Sequence, residues 1–460
     1  MSGQRDSEIE LAYELDEKPP ISEAVPLGIQ HVLVMIVPST AVAFLVAGEV
    51  GLGAADTGYL VQMVLLFSGL ATIVQAYTIG PVGAKLPIVM GTSFTFLGAA
   101  SAIGSQQGLA AVFGAVLVTG LIVEGLIGWQ FRRIEPFFPP LVTGLIVIII
   151  GLYLIPTGME YVGGGDPTAA SFGSVQNLGL AALVLLIAVL FNLFLEGVAR
   201  ILSVFIGIAV GYAVAIAFGV VDFSPIANAS LVEVPTPGEF GYSFDPVAIV
   251  TFAFLFLVSA METVGDMSGI TAAEGRNPDQ EEFRGGIFAD GLMSSIGAVF
   301  GSFPVTSFSQ NVGIVNFTGI MSRHVVGVSG VFLTIMGLSP IAGAVVTTIP
   351  EPVFGGAVLV MVGMVAASGM RLLFLNVEMN RRNMVIVSTS LGLGLGVAVV
   401  PEALQGLPRA ARTFFGEAVI MTGLSALLLN TFVPGDSSPL FDDPDETADQ
   451  AGETAAISDD

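Results

Sequence analysis

Between residues 27 and 432 the chain runs through a succession of apolar stretches separated by short polar or glycine-rich connectors. A helix rising about 1.5 Å per residue needs about 20 such residues to cross a hydrocarbon core of about 30 Å. The stretches fall at 27–47, 57–78, 90–103, 107–128, 137–155, 174–194, 199–220, 246–266, 285–301, 309–321, 324–346, 352–371, 384–401 and 412–432. Lipid forces every backbone N–H and C=O to pair internally, and apolar runs this long do so as helices. Charged residues make up 11% of the chain, against about 25% in soluble domains. The expected fold is an all-α polytopic membrane protein of about fourteen transmembrane segments.

Lysines and arginines fix the expected orientation, because cytoplasmic loops carry the positive excess. With the N-terminus in the cytoplasm and sides alternating, twelve of the 14 basic residues fall inside and only Arg409 and Arg412 fall outside. That asymmetry survives only if 90–103 and 309–321 both carry the chain across, although both are too short to cross as helices. Both termini are then cytoplasmic. The stretch "MSGQRDSEIELAYELDEKPP" is polar and acidic, unlike a cleavable signal peptide.

The two short segments occupy matching places. "KLPIVMGTSFTFLGAASAIG" (85–104) and "GSFPVTSFSQNVGIVNFTGI" (301–320) each carry a proline, an extended stretch, a Ser-Phe pair and a small-residue helix. Each is the third span of its half. Seven spans per half give inverted repeats over 26–220 and 246–432, where interrupted spans at corresponding places point to a transporter's binding site. Two short β-strands, one from each half, could pair at mid-membrane and hand over to helices whose N-termini face a polar ligand.

Gln310 and Asn311 lie where the second strand becomes a helix. A primary amide shows a donor and an acceptor side by side, which suits a planar ligand edge displaying both. The other reading is that Asn311 caps the helix and Gln310 satisfies nearby backbone. Ser309 completes the polar turn, and Phe94 and Phe308 are placed to stack on a flat ring or simply to pack.

Carboxylates inside spans are rare and default to function. Glu262 and Asp266 in "FLVSAMETVGDMSGITAAEGR" are four apart and share a helical face, and Asp290 lies within "FRGGIFADGLMSSIGAVFGS". No basic residue sits at their depth. Carboxyls that gain and lose a proton at that depth suit proton coupling, although Asp266 could be interfacial and Asp290 could tie its span to the interrupted segments. His31, in "GIQHVLVMIVPS", reads as a hydrogen-bonded link more readily than as a proton carrier. Trp129, Phe131, Phe137 and Phe138 read as interfacial anchors.

The net charge of −24 concentrates toward the ends. Residues 1–25 read as an acidic cytoplasmic segment and 433–460 as an acidic disordered tail, either ordinary or adapted to a salt-rich cytoplasm. The chain has no cysteine and two histidines. With no HExxH-type motif either, an intramembrane hydrolase is a weak reading, and no cofactor or metal is expected. Nothing suggests nucleic-acid binding.

"QNVGIVNFTG" (310–319) resembles the signature of the nucleobase–ascorbate transporters, also called xanthine/uracil permeases. Its fixed positions are filled by Gln310, Asn311, Gly313, Thr318 and Gly319. "QHVLVM", "GTSFTF", "METVGD" and "FADGL" extend the resemblance over nearly the whole membrane portion. It implies fourteen spans in two inverted repeats, a core domain from spans 1–4 and 8–11, a gate domain from spans 5–7 and 12–14, and a homodimer in the plasma membrane. It implies that Glu262 and Gln310 bind the nucleobase, that Phe94 stacks near it, and that Asp266, Asp290, His31 and Asn311 serve coupling or support. The set Glu262, Asp266, Asp290, Gln310 and Asn311 resembles xanthine and urate members. Uracil-type members tend to carry Glu, His and Asn in place of Gln310, Asp266 and Asp290, and ascorbate-type members Pro in place of Gln310. The implied activity is proton symport, with sodium as the alternative coupling ion and a channel as the rival outside active transport.

Overall fold

A computed structural model of the chain describes residues 11–134 and 139–434. The chain opens with α1 (Ile21–Val50) and α2 (Ala54–Tyr77), followed by strand β1 (Met90–Thr92), a 3₁₀ turn (Phe94–Phe96) and α3 (Leu97–Gln107). Next come α4 (Leu109–Thr119), a π-helical turn (Gly120–Glu124) and α5 (Gly125–Ile134), forming one bent span. The first half ends with α6 (Pro140–Tyr153), α7 (Ile155–Gly163), α8 (Val175–Phe194), the short α9 (Gly197–Ile201) and α10 (Ser203–Ala217). After the short α11 (Ser224–Asn228), the second half repeats the plan. It runs α12 (Pro246–Thr271), α13 (Gln280–Val299), β2 (Val305–Ser307) and α14 (Ser309–Thr318), then α15 (Arg323–Gly337) and α16 (Pro340–Thr347). It closes with α17 (Glu351–Asn376), α18 (Arg381–Val399), α19 (Arg409–Phe415) and α20 (Ala418–Phe432).

Eight helices among the described residues are long and apolar enough to cross a membrane, and the pairs α15–α16 and α19–α20 are two more, bent by 80° and 79°. With α10, α13 and the two strand–helix units, these account for all fourteen segments expected. Neighbour relations follow the inverted repeat. Span 2 packs on span 11 (α2 on α15), and its mirror is span 4 on span 9 (α4 and the π turn on α13). Likewise α8–α10 mirrors α18–α20, and α6 packs on its own counterpart α17. Glycines let these backbones meet: a Cβ on Gly330 would fall 2.9 Å from the carbonyl oxygen of Gly69, and one on Gly369 2.8 Å from that of Gly144. Small residues at such crossings substitute close packing for the hydrophobic effect, which is absent between helices in lipid.

The two strands pair antiparallel, Met90 opposite Ser307, Gly91 opposite Thr306 and Thr92 opposite Val305, and every residue of both is buried. A two-stranded ribbon leaves unpaired groups on its outer edges, which is costly away from water. Hydroxyls from neighbouring helices take them. Met90 N–H donates to Thr72 Oγ1 at 2.9 Å, Thr92 N–H to Ser39 Oγ at 3.0 Å and Val305 N–H to Ser294 Oγ at 3.0 Å. Broken spans are stable here because α1, α2 and α13 supply these partners.

The N-terminal stretch is more than a solvated acidic segment. Residues 12–17 lie along the loop after α14: Ala12 N–H donates to Gly319 O (2.8 Å), Met321 N–H to Tyr13 O (2.9 Å) and Arg323 N–H to Leu15 O (3.1 Å). Trp129 is 65% exposed. The side chains of Phe131, Phe137 and Phe138 and the acidic segment 435–460 lie outside the described residues.

Candidate functional site

Beyond β1 and β2 the chain turns into helix, and a cavity of 240 Å³ opens between the two turns. The first half contributes Thr92 to Thr95 and the second half Glu262 and Ser307 to Gln310. Val147 and Ile150 of α6 and Met364, Val365 and Ser368 of α17 close the opposite side. Five of the nine residues singled out from sequence line this cavity: Glu262, Gln310, Phe94, Phe308 and Ser309. It is mostly apolar with a few convergent polar groups, the character of small-molecule sites.

Glu262 is held from the opposite half of the chain. Thr95 Oγ1 donates to its Oε1 at 2.5 Å and Ser93 Oγ to its Oε2 at 3.0 Å. Ser93 also caps the 3₁₀ turn, accepting from Thr95 N–H at 3.1 Å. Extended backbone at Ser93 followed by the turn aims both hydroxyls at α12. The carboxylate is thereby oriented while part of it still faces the cavity. Gln310, on the first turn of α14, is half-buried and makes no protein hydrogen bond among the described residues, so its amide is free for a ligand. The N–H groups of Ser309 and Gln310, at the start of α14, lack intrahelical acceptors and add donors there, while that of Asn311 is taken by Phe308 O.

The other four candidates lie behind the cavity wall. Asp290 is completely buried and accepts from Gln75 Nε2 (2.8 Å), from Thr306 Oγ1 (3.3 Å) and from Thr263 Oγ1. It fastens α13 to α2, α12 and β2. Asp266 is buried rather than interfacial, 7% exposed, and accepts from Ser307 Oγ at 2.6 Å. Asn311 does not cap α14, whose N-cap Phe308 makes no side-chain bond. Its Nδ2 instead reaches His31 Nδ1 at 3.0 Å and the carbonyl oxygen of His31 at 3.2 Å. Asn311 is the third residue of α14, past the capping position, and its amide nitrogen ties this helix to His31 of α1.

Sequence reasoning missed the hydroxyls of Ser93 and Thr95, the brace Gln75, and the wall supplied by α6 and α17. Pairing of distant segments decides all of these. It also passed over Glu124 in "LIVEGL" and Glu417 in "GEAVIM", both buried, which the rule applied to Glu262 would have found.

These features define a membrane carrier rather than an enzyme, with a polar half-site from each repeat. A family model described as Permease family, that of the xanthine/uracil permeases, matches residues 22–403. A putative purine permease of Clostridium perfringens, CPE0397, is 38% identical over 426 residues, covering 93% of this chain and 94% of that protein. The xanthine permease XanQ of Escherichia coli is 36% identical over 444 residues (93% and 94%), and the uric acid permease PucK of Bacillus subtilis 37% identical over 408 (88% and 94%). The chain therefore belongs to the xanthine/uracil permease family.

Solved structures give the fold independently. The transmembrane domain of a cyanobacterial bicarbonate transporter, BicA, matches with TM-score 0.54 at 14% identity, covering 90% of this chain and 98% of that one. The murine anion transporter Slc26a9 in its inward-facing state matches with TM-score 0.61 at 13% identity, covering 91% and 69%.

Proposed function

We propose that this protein takes up a nucleobase, xanthine or urate in the first place, by proton symport with alternating access. The observation that carries the reading is the placement of Glu262 and the free amide of Gln310 on one cavity. A carboxylate accepts ring N–H groups, and an amide pairs donor and acceptor with an imide or carbonyl edge. Phe94 and Phe308 offer ring faces to a flat heterocycle. The printed activities of the relatives, xanthine and uric acid transport, support the same ligand class.

The sparse contacts between α6–α10 with α17–α20 and the rest support a gate domain from spans 5–7 and 12–14 moving against a core domain from spans 1–4 and 8–11. Substrate is released when that movement replaces the α6 and α17 wall with solvent. Protons are the proposed coupling ion because the site's neighbourhood is rich in carboxyls and has no cation paired with them among the described residues. Coupling requires that the proton bind the two states with different affinity. The proposal extends to a homodimer in the plasma membrane with both termini cytoplasmic, the orientation that the excess of lysine and arginine in alternate loops supports.

The test is uptake of labelled xanthine into vesicles, with unlabelled urate, uracil and ascorbate as competitors, under imposed proton or sodium gradients. Competition by urate and acceleration by the proton gradient support the reading. Stronger competition by uracil would make the protein a uracil permease, dependence on sodium alone would replace the coupling ion, and conduction without accumulation would make it a channel.

A further inference from the structure

Glu124 is the last residue of the π-helical turn Gly120–Glu124, between α4 and α5. The opposite side of this turn carries Leu121 and Ile122, 46% and 53% exposed. Glu124 points the other way and is completely buried. Both its carboxyl oxygens are enclosed and without a hydrogen-bond partner, and so is the hydroxyl of Ser259, which lies beside it on α12. π turns inside helices are frequent at functional sites. This one sits where span 4 meets span 9 most closely: a Cβ on Gly120 would fall 2.7 Å from the carbonyl oxygen of Gly291, and one on Gly291 would fall 2.7 Å from Glu124 Cβ. Two glycines thus press Glu124 against α13, next to Asp290.

The surrounding groups decide what this carboxyl can hold. From α13 it faces Asp290, and from α12 it faces Ser259 and, one turn on, Glu262. Ser259 and Thr263 are one turn apart on α12, so Glu124 with Ser259 stands beside Asp290 with Thr263 as a second acid–hydroxyl pair. Asp290 is saturated with donors; Glu124 has the Ser259 hydroxyl alone beside it. Among the described residues no ion pair reaches it. A carboxylate enclosed this way, with two further acids nearby, has one hydroxyl and no cation to set against its desolvation. A neutral carboxyl has one O–H, which the unpaired Ser259 oxygen can accept.

We propose that Glu124 is a proton-binding site of the transport cycle, distinct from the substrate cavity, with Ser259 as its hydrogen-bond partner. Binding forms one O–H bond on the carboxyl and removes one charge; release breaks that bond and returns the proton to water, with the substrate covalently unchanged. Ionisation of Glu124 is felt at Asp290, which holds α13 to β2, so occupancy of this site biases the element that carries half the binding site. This rests on the proton-symport reading above.

Reconstituted vesicles carrying wild type, Glu124→Gln, Glu124→Asp or Ser259→Ala test it, with accumulation under an imposed pH gradient and substrate exchange at equal concentrations both measured. Glu124→Gln copies the protonated acid and cannot release the proton. It should lower gradient-driven accumulation by roughly tenfold or more, within the usual range of coupling energies, while exchange persists. Glu124→Asp and Ser259→Ala keep an acid but alter its partner, and should move the pH midpoint of uptake by about one unit. Full gradient-driven accumulation by Glu124→Gln overturns the proposal. If Glu124→Gln does not reach the membrane, wild-type pH midpoints in both other variants overturn it. A wild type indifferent to the pH gradient defeats the symport reading instead, a separate result.

Discussion

Thr95 Oγ1 and Glu262 Oε1 lie 2.5 Å apart, joining the strand–helix span of the first repeat to the first span of the second. The hydroxyl fixes the carboxylate that faces the cavity, so its loss should be felt in substrate affinity before stability. Thr95→Val keeps shape and removes the donor; hydrogen bonds to charged groups contribute about 1.5–3 kcal/mol, or roughly tenfold or more in KM. Thr95→Ser should restore most of it. Initial uptake rates against substrate concentration provide the check, and an unchanged KM for Thr95→Val would show that Glu262 needs no such support.

Gly91 is the middle residue of β1 and is buried. A Cβ there would fall 2.8 Å from Met35 Cε and 2.9 Å from Phe308 Cδ2. Met35 can bend away, but Phe308 is a rigid ring on the cavity wall. Gly91→Ala should displace it, costing roughly 1 kcal/mol or about fivefold in apparent affinity, with Gly91→Val worse. Uptake kinetics normalised to protein in the membrane test this, and wild-type affinity in both variants would mean Phe308 does not shape the site.

Asp290 and Gln75 should behave as one structural unit. Asp290→Ala removes the acceptor of three donors in a closed interior and should destabilise by about 3 kcal/mol or more, lowering the thermal midpoint in detergent. Once Asp290 is gone, Gln75→Ala should add less than it does alone, the signature of coupled neighbours. Surviving protein should keep the wild-type competition profile. A changed substrate preference with unchanged stability would move Asp290 from brace to ligand contact.

The N-terminal stretch gives a contrast between backbone and charge. Asp16 pairs with Arg323 at 2.6 Å, but its side chain is 76% exposed, so Asp16→Ala should change stability by less than about 1 kcal/mol. Removing residues 1–17 also deletes the backbone ladder to 319–323 and the bond from Ser322 Oγ to Glu17 O (2.7 Å). That truncation should lower the thermal midpoint clearly more than Asp16→Ala. Equal effects would show that the ladder contributes little.

Much of the fold and part of the site are legible in the sequence. The broken spans announce themselves by length and by their matching Ser-Phe pairs, and Gln310 by its place after the second strand. Glu262 stands out because a carboxylate in an apolar run has few bland explanations. Asp290 is harder to read: its neighbours Gln75, Thr263 and Thr306 come from α2, α12 and β2, and only the packing of those elements on α13 brings them together. Asn311 misleads because cap preference is a local rule, whereas His31 is 280 residues away. Ser93 and Thr95 look like ordinary strand-end hydroxyls until α12 is packed against them.

The central claim is that Glu262 grips a nucleobase in the cavity between the broken spans. Equilibrium binding of labelled xanthine to purified wild type and to Glu262→Gln, with thermal midpoints recorded on the same samples, tests it most directly. The account predicts saturable binding by wild type, displaced by urate, and none by Glu262→Gln at a similar thermal midpoint. Equal xanthine binding by the two proteins would contradict it.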